Sequence, residues 1–524
     1  MTMPAIDYTD KDFASLRAAM LRLASQRLPE WTDRSPSDLI MVFIDLFAYC
    51  GDIVAYYQDR IASEMFPATA TERASLVDLL RLIGYEFSPA TPARTDLRLT
   101  FKRPVAPADP RTVTITHGAK FRANDPTDGA IEFIYLGEDL TLDLTSAQVR
   151  PDEDPEKSLV HYDGLPVEQG ELTAGDGVLI GSGTGEPGQS FALPGGQVNL
   201  DSVVVEVNEG AQWVQWHRAS PEATTSDLLA REYRLIVDAA DVSRAVFANR
   251  VVPAAIDNVR ARYRLCRGAR GNVAAGTITE SAGQLPALAA VTNPVAAAGG
   301  SDLESAASAV RNAPKAFRSM QRAVTAEDYV ALALRTGAVA KVRVRSPSWN
   351  RVELYVAPTG TTLTPLSESM RNYLLAYFEH KRSVCTVVEV FGARPVAIDI
   401  GCAVDVDKRF AVATVLADVR AAISDLLAFG GVDFAQTLYV SDVYAAVEAV
   451  KGVLGVTINR FRRADYTATD IDAELARSGL PPLAQLPDVI RSAVSAEVES
   501  SGRIATGDFE IPVLGALDVR AAQR

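Results

Sequence analysis

Between Asp38 and Asp59 the chain reads DLIMVFIDLFAYCGDIVAYYQD, its most apolar stretch, with aspartates at positions 38, 45, 52 and 59. A membrane span needs about 20 mostly apolar residues. From Leu39 to Tyr57, nine residues of the Leu/Ile/Val/Phe type each favour insertion by about 0.3–0.6 kcal/mol, whereas Asp45 and Asp52 each oppose it by about 2.5–3.5 kcal/mol. The acids cancel the apolar residues, so the stretch reads as a helix covered by protein, with no membrane span. Ser35 is the expected N-cap, Pro36 suits the first helical position, and Asp38 stands where a capping-box acid belongs.

Counting by sevens, Leu39, Leu46 and Ile53 follow the aspartates, and Ile40, Phe47 and Val54 come next, so two apolar seams run side by side. A helix apolar nearly all round is buried among several others, and a seven-residue repeat favours coiled-coil packing. An unpaired buried carboxylate is costly, so Asp45 and Asp52 are expected to face arginines or polar groups at a bundle end. Phe13, Leu16, Met20 and Leu23 form the stripe of a preceding helix, and the segment Thr69 to Glu72 reads as a capping box for a following one that ends at Gly84. Three helices are too few to cover the central one. The remaining cover is the rest of the chain, a second copy, or another protein.

A chain of 524 residues exceeds what one core organises and is expected to form several domains. With 48% hydrophobic and 23% charged residues it has the composition of a folded protein. A net charge of -14 and the lack of a basic stripe argue against nucleic acid as a partner. MTMPAIDYTDKDF has no basic segment leading into an apolar core, so assembly in the cytoplasm is expected. Cys50, Cys266, Cys385 and Cys402 lack metal-site spacing and read as buried free thiols; His117, His161, His217 and His380 are equally scattered, and no metal or cofactor site is expected.

The pattern implies an α+β multidomain chain. Residues 1–92 form an N-terminal helical bundle segment; from residue 93 to 285, alternating stretches such as LRLTF, SVVVEV and VRARYRL form a β-rich middle domain. Residues 286–302, rich in Ala, Gly and Pro, read as a linker. Mixed α/β modules follow at 303–395 and 396–466, and 467–524 reads as a peripheral C-terminal segment with a helix in PDVIRSAVSAEVES and a short strand in FEIPVL.

Three stretches invite chemical readings. Gly183, Gly185 and Gly188 spell GxGxxG after a strand, but Pro187 precludes the helix whose N-terminal amides would meet a pyrophosphate, so a glycine-rich hairpin loop is expected. Trp213 and Trp216 could serve a sugar platform, yet residues three apart on a strand face opposite ways, which favours packing. The acidic run from Asp152 to Glu156 lacks calcium-loop spacing and reads as solvated. No GxSxG, HExxH or GxxxxGK[ST] motif occurs, and no catalytic residue is assigned.

PEWTDRSPSDLIMVFIDLFAYCGDIVAYYQDRI, ATERASLVDLLRLIGYEFSPA, GEPGQSFAL, YRLCRGARGNVAAGTIT, NPVAAAGGSDLESAASAVRNAPKAFRSMQRAVTAEDYVALA and SDVYAAVEAVKGVLGV, in that order, resemble the baseplate J-like family of wedge proteins in contractile phage tails and contractile injection systems. The resemblance runs from about residue 7 to 462, and RAVTAEDY with its upstream GGSDLES is its most specific part. Many relatives carry an FGDG-like turn where this chain has VFANRVVPAA, Val246 to Ala255. The resemblance implies a non-enzymatic baseplate wedge component of a virion tail or tail-like particle. It would oligomerise into the ring around the central hub and help couple target contact to sheath contraction. Its implied partners are a second copy, other wedge subunits, and sheath-initiator and hub proteins. The core-bundle interface expected on this reading comprises Leu39, Val42, Phe43, Asp45, Leu46, Phe47, Tyr49, Asp52, Ile53 and Tyr56. The alternative is a tail-associated glycan-binding or cell-wall-degrading protein, for which two carboxylates at a defined separation would be required.

Overall fold

A computed structural model describes residues 11–125, 129–154, 157–173, 175–210, 212–219, 230–319, 322–464, 475–476, 479–482, 485–486 and 502–522. Its helices are α1 (Phe13–Arg27), α2 (Leu39–Glu64), α3 (Arg73–Leu82), α4 (Ala306–Ser319), α5 (Ala326–Arg335), α6 (Glu368–Glu379), α7 (Val412–Leu426) and α8 (Val440–Glu448). N-terminal helices, a strand-rich middle and mixed C-terminal modules make the chain α+β and multidomain.

The strand-rich middle has two cores. One lies under a seven-stranded sheet centred on the strands Arg94–Lys102 and Leu159–Gln169, where Leu97, Leu99, Phe101, Phe121 and Phe133 are fully buried. The second is built from the strands Val198–Asn208 and Ala255–Leu265 with a four-stranded companion sheet, around Val205, Trp216, Tyr233 and Phe247. Chain order explains the division: the second unit is inserted between strands of the first sheet, which the chain rejoins at Ile278–Ser281 and Leu288–Thr292.

That return corrects the expected linker. Leu288–Thr292 pairs antiparallel with Arg94–Lys102, and bridges join Thr91 to Ser301 and Arg94 to Ala298. Small residues are required there because backbone approaches backbone. A Cβ on Gly300 would lie 2.4 Å from the Gly268 carbonyl oxygen, so the Ala/Gly richness serves close packing.

In the first α/β module, α5 and α6 cover the three-stranded sheet Val339–Ser348, Arg351–Pro358 and Val387–Gly392. Thr325 and Asp328 form the capping box that starts α5. The module is tied to the strand-rich part by charge. Asp96 accepts hydrogen bonds from the Glu368 and Ser369 amides at 2.7 and 3.2 Å, capping α6 across the domain boundary. Beside it Arg94 pairs with Glu168 at 2.8 Å and lies 3.9 Å from the centre of the Tyr373 ring.

The second module also departs from expectation. Its central strand, Arg394–Val406, pairs antiparallel with Val453–Arg463 and parallel with Glu510–Ala521, so the C-terminal segment is a structural strand and not peripheral. Ile511 and Val519 lie in the core, and Phe509 stacks on Tyr355 with ring centres 3.8 Å apart. The helix expected in PDVIRSAVSAEVES lies outside the described residues. Two thiols are misjudged as well: Cys266 and Cys402 are buried, with burial pushing Cys402 up to about 11, but Cys50 and Cys385 are exposed; all four are free.

Replacing the fully buried Ile511 with alanine should cost about 2–5 kcal/mol. Thermal unfolding should show a lowered midpoint for the C-terminal module, whereas a peripheral strand would leave it unchanged.

Candidate subunit interface

Helix α2 is the longest helix described, at 26 residues, and its two sides differ in kind. Met41, Ile44 and Ala48 are buried, with Asp45, Gly51, Asp52, Ala55 and Asp59 half-buried along the same line. Along this line Asp45, Gly51 and Asp52 meet α1, and small and acidic residues accompany the larger Met41 and Ile44. A Cβ on Gly51 would come within 2.9 Å of the Leu16 side chain, so glycine allows close approach.

The first three aspartates each have a defined partner. Asp38, not Ser35, is the N-cap: its Oδ1 accepts from the Ile40 and Met41 amides and from the Trp31 indole N–H at 3.1 Å. Helix α2 therefore starts at Leu39, and Ser35 and Pro36 belong to the turn before it. Asp45 pairs with Arg17 at 2.5 Å. Asp52 Oδ1 accepts the Phe13 amide at 3.0 Å, satisfying a free donor at the start of α1, where Asp12 and Ser15 complete a capping box. A seven-residue period equals two helical turns, which keeps the acids on one face.

Away from α1 the helix is apolar and open. Leu39, Val42, Leu46, Tyr49, Ile53 and Tyr56, spaced 3-4-3-4-3, are all exposed, from 38% for Ile53 to 67% for Leu39. A second row, Phe43, Phe47, Val54, Tyr57 and Ile61, is exposed beside it. Eight of the ten residues expected at an interface thus point outward, while Asp45 and Asp52 turn inward to α1. Val54 was read as part of the second seam but not counted at the interface, and Tyr57 and Ile61 were missed, although their i+3/i+4 spacing extends that seam. Between α1 and α2 lies an open apolar groove of about 320 Å³, lined among others by Leu23, Arg27, Phe43 and Phe47.

Helix α3 is docked differently from the reading of a capping box at Thr69 to Glu72. Glu72 is the N-cap but makes no side-chain cap bond. Glu64, from the end of α2, accepts the Thr71 amide and hydroxyl at 2.9 and 2.6 Å and the Glu72 amide at 3.2 Å. The C-terminus follows expectation more closely: Gly84 adopts φ 73°, and the Tyr85 amide reaches the Leu80 carbonyl in a Schellman closure. Leu76, Val77, Leu80 and Tyr85 then pack on Ala309 and Ala313 of α4, so α3 belongs to the body of the protein.

Other proposed sites resolve into packing. Trp216 is buried against Phe247 with ring centres 5.2 Å apart, and Trp213 lies half-buried under Arg260 at 4.2 Å, so the two do not form one platform. The GxGxxG segment leads into the strand Ser190–Ala192, which lies in a different sheet from Val178–Gly183; it is an inter-sheet loop, not the expected hairpin. Asp152 accepts from His161 Nε2 and the Asp154 amide, both at 2.9 Å. Among the described residues no cluster of His, Cys, Asp and Glu could hold a metal.

Residues 12–82 match the family model described as bacteriophage baseplate protein, N-terminal domain. The N-terminal region is similar to a baseplate domain. The matched segment coincides with α1, α2 and α3, so the likeness to a baseplate protein lies in this helical region. A search of the solved structures finds the cryo-EM structure of the anti-feeding prophage (AFP) baseplate, 6-fold symmetrised, at 11% identity and a TM-score of 0.34, covering 95% of this chain and 90% of that one. Similarity that low carries no argument about this chain. No curated protein sequence matches. By length and composition α2 is long and apolar enough to cross a membrane, but two of its central acids, Asp45 and Asp52, are engaged by α1.

Two outcomes test the helical geometry. Asp52→Ala should loosen α1 by about 1 kcal/mol, seen as faster amide exchange in its first turn, whereas Arg17→Ala should change stability by less than about 1 kcal/mol because its pair with Asp45 is half-exposed. The Thr71 hydroxyl and neighbouring amides hold the Glu64 carboxyl down to about 2. A depressed acid stabilises above its unfolded value, near 4.5, and this contribution fades as pH falls toward 2. The protection of amides at the start of α3, measured as observed exchange relative to the intrinsic rate at each pH, should therefore fall between pH 4.5 and 2, and Glu64→Gln should remove that dependence.

Proposed function

We propose that this chain is a non-enzymatic wedge component of the baseplate of a contractile tail or injection machine, of the baseplate J-like kind. The observation that carries the reading is the exposed apolar face of α2 in a region similar to a baseplate domain. Fully burying one large apolar side chain is worth about 1.5–3 kcal/mol, so a face with eight of them strongly favours association. The interface comprises Leu39, Val42, Phe43, Leu46, Phe47, Tyr49, Ile53 and Tyr56, with Asp45 and Asp52 setting the position of α1 beneath it.

On this reading the six-residue seam from Leu39 to Tyr56 packs against helices of a second copy and of another wedge subunit. The α+β body joins wedges into a ring around the hub, in reach of the sheath-initiator, and helps couple target contact to sheath contraction. The junctions made by Asp96, Arg94 and the C-terminal strand suit a part that transmits displacement as a stiff body. Assembly takes place in the cytoplasm, with no membrane or nucleic acid involved.

Co-expression with the neighbouring tail gene products tests this. Wild-type chain should co-purify with a second copy and another baseplate subunit, and Leu46→Asp combined with Ile53→Asp should abolish that complex while leaving the folded body intact by circular dichroism. Recovery of the wild-type chain only as a monomer, absent from tail-like particles, would overturn the proposal.

A further inference from the structure

Tyr373, Tyr377 and Lys381 are spaced by four, so they share one side of α6 and of the turn that ends it. That side faces the inserted β unit. Asp201 acts electrostatically on all three, and it lies in the irregular stretch from Asn199 to Val204 where the pairing of Val198–Asn208 with Ala255–Leu265 is interrupted. The stretch is held in place: the Asp201 amide donates to Asn199 Oδ1 at 3.1 Å, and Asn199 Nδ2 donates to Glu168 at 2.9 Å. Arg335, the last residue of α5, completes the junction and acts on both Tyr377 and Lys381.

Several polar groups meet there without partners. Lys381 Nζ lies 4.2 Å from the centre of the Tyr377 ring and Arg335 lies 5.5 Å from that of Tyr85; both cations are half-buried, and among the described residues neither forms an ion pair with a carboxylate. Across the junction Arg218 approaches Asp201 at 3.4 Å, so one carboxylate faces three cations. Burial holds Lys381 below the ordinary lysine range, with Arg335 and Arg218 adding to the effect and Asp201 opposing it. The hydroxyls of Tyr373 and Tyr377 have no hydrogen-bond partner among the described residues, and burial pushes Tyr377 up to about 12 and raises Tyr373 as well, so both remain donors at neutral pH. Like charges gathered in a partly dehydrated place are unfavourable, and an anion relieves them.

We propose that this junction is an oxyanion site, in which Lys381 and Arg335 hold a phosphate or carboxylate group and the Tyr377 hydroxyl donates to it. Tyr373, one turn earlier on α6, offers a further donor beside it. Ammonium, guanidinium and phenol all donate, and a guanidinium meets either oxyanion at two points. The overall composition does not produce such a site: in a chain of net charge -14, three cations around one carboxylate are a local reversal of sign. An anion bound there would tie the first α/β module to the inserted β unit. The inference uses no residue of the α2 face and does not depend on the reading of the chain as a wedge component.

The test follows thermal unfolding of the full chain as sodium phosphate or sodium glutarate is added, each against sodium chloride of equal ionic strength. The midpoint should rise saturably with at least one of the two anions. A response to phosphate alone assigns the site to a phosphate group, whereas a response to glutarate, with or without phosphate, assigns it to an acidic side chain. Lys381→Met keeps the apolar stem on Tyr377 and removes the charge, and it should raise the half-saturating anion concentration by about tenfold or more. Tyr377→Phe, which removes a hydroxyl that no described group bonds, should raise it about threefold or more with the fold intact. A midpoint that responds to neither anion beyond chloride, or a half-saturating concentration that is unchanged in Lys381→Met, would overturn the inference. Leu46→Asp combined with Ile53→Asp separates the two proposals: it should abolish capture of the other baseplate subunit and leave the anion response in place.

Discussion

The placement of α2 rests on its contact with α1, made by carboxylates at two-turn intervals. Asp45 holds Arg17 and Asp52 holds the first amide of α1, so one flank of an otherwise apolar helix is polar, narrow and occupied. Each bond is modest, since the pair is half-exposed and the amide is a helix-end donor. Their effect is directional. With α1 fixed on that flank, the two apolar rows face outward, and any covering helix approaches from a defined side.

The remainder of the molecule is tied together by contacts between its units. Helix α3 is secured by Glu64 at one end and by packing against α4 at the other. The strand-rich and α/β parts meet where Asp96 caps α6 and Arg94 lies on Tyr373, a partly dehydrated setting in which charged contacts are stronger than at the surface. The C-terminal strand returns to pair with Arg394–Val406, and Phe509 stacks on Tyr355 from the preceding module. Contacts between units are thus made by residues far apart in sequence.

Local patterns were legible where local physics decides. The helix-ending glycine at Gly84 and the alternation in SVVVEV each describe a few consecutive residues, and the corresponding elements form. Misreadings arose where a distant partner took over a local role. Glu64 accepts from the Thr71 and Glu72 amides that lead into α3, where the Thr69 to Glu72 pattern was expected to act, and, closer by, Asp38 caps α2 in place of Ser35. The Ala/Gly-rich stretch after residue 285 has linker composition because small residues also serve tight backbone packing, and the strand Glu510–Ala521 looked short because its partner is more than a hundred residues upstream.

The sequence by itself determined that residues 38–59 form a helix needing protein cover, because hydropathy and the seven-residue acid period depend only on neighbouring residues and helical geometry. It also determined the alternation of strands and helices along the chain. Only the tertiary structure decided which side of α2 is occupied and which is open, because that depends on where α1 folds back and on how far the other helices lie from it. The same holds for the inserted second β core and the C-terminal strand. In each case the deciding contact joins segments whose separation along the chain carries no signal of their proximity in space.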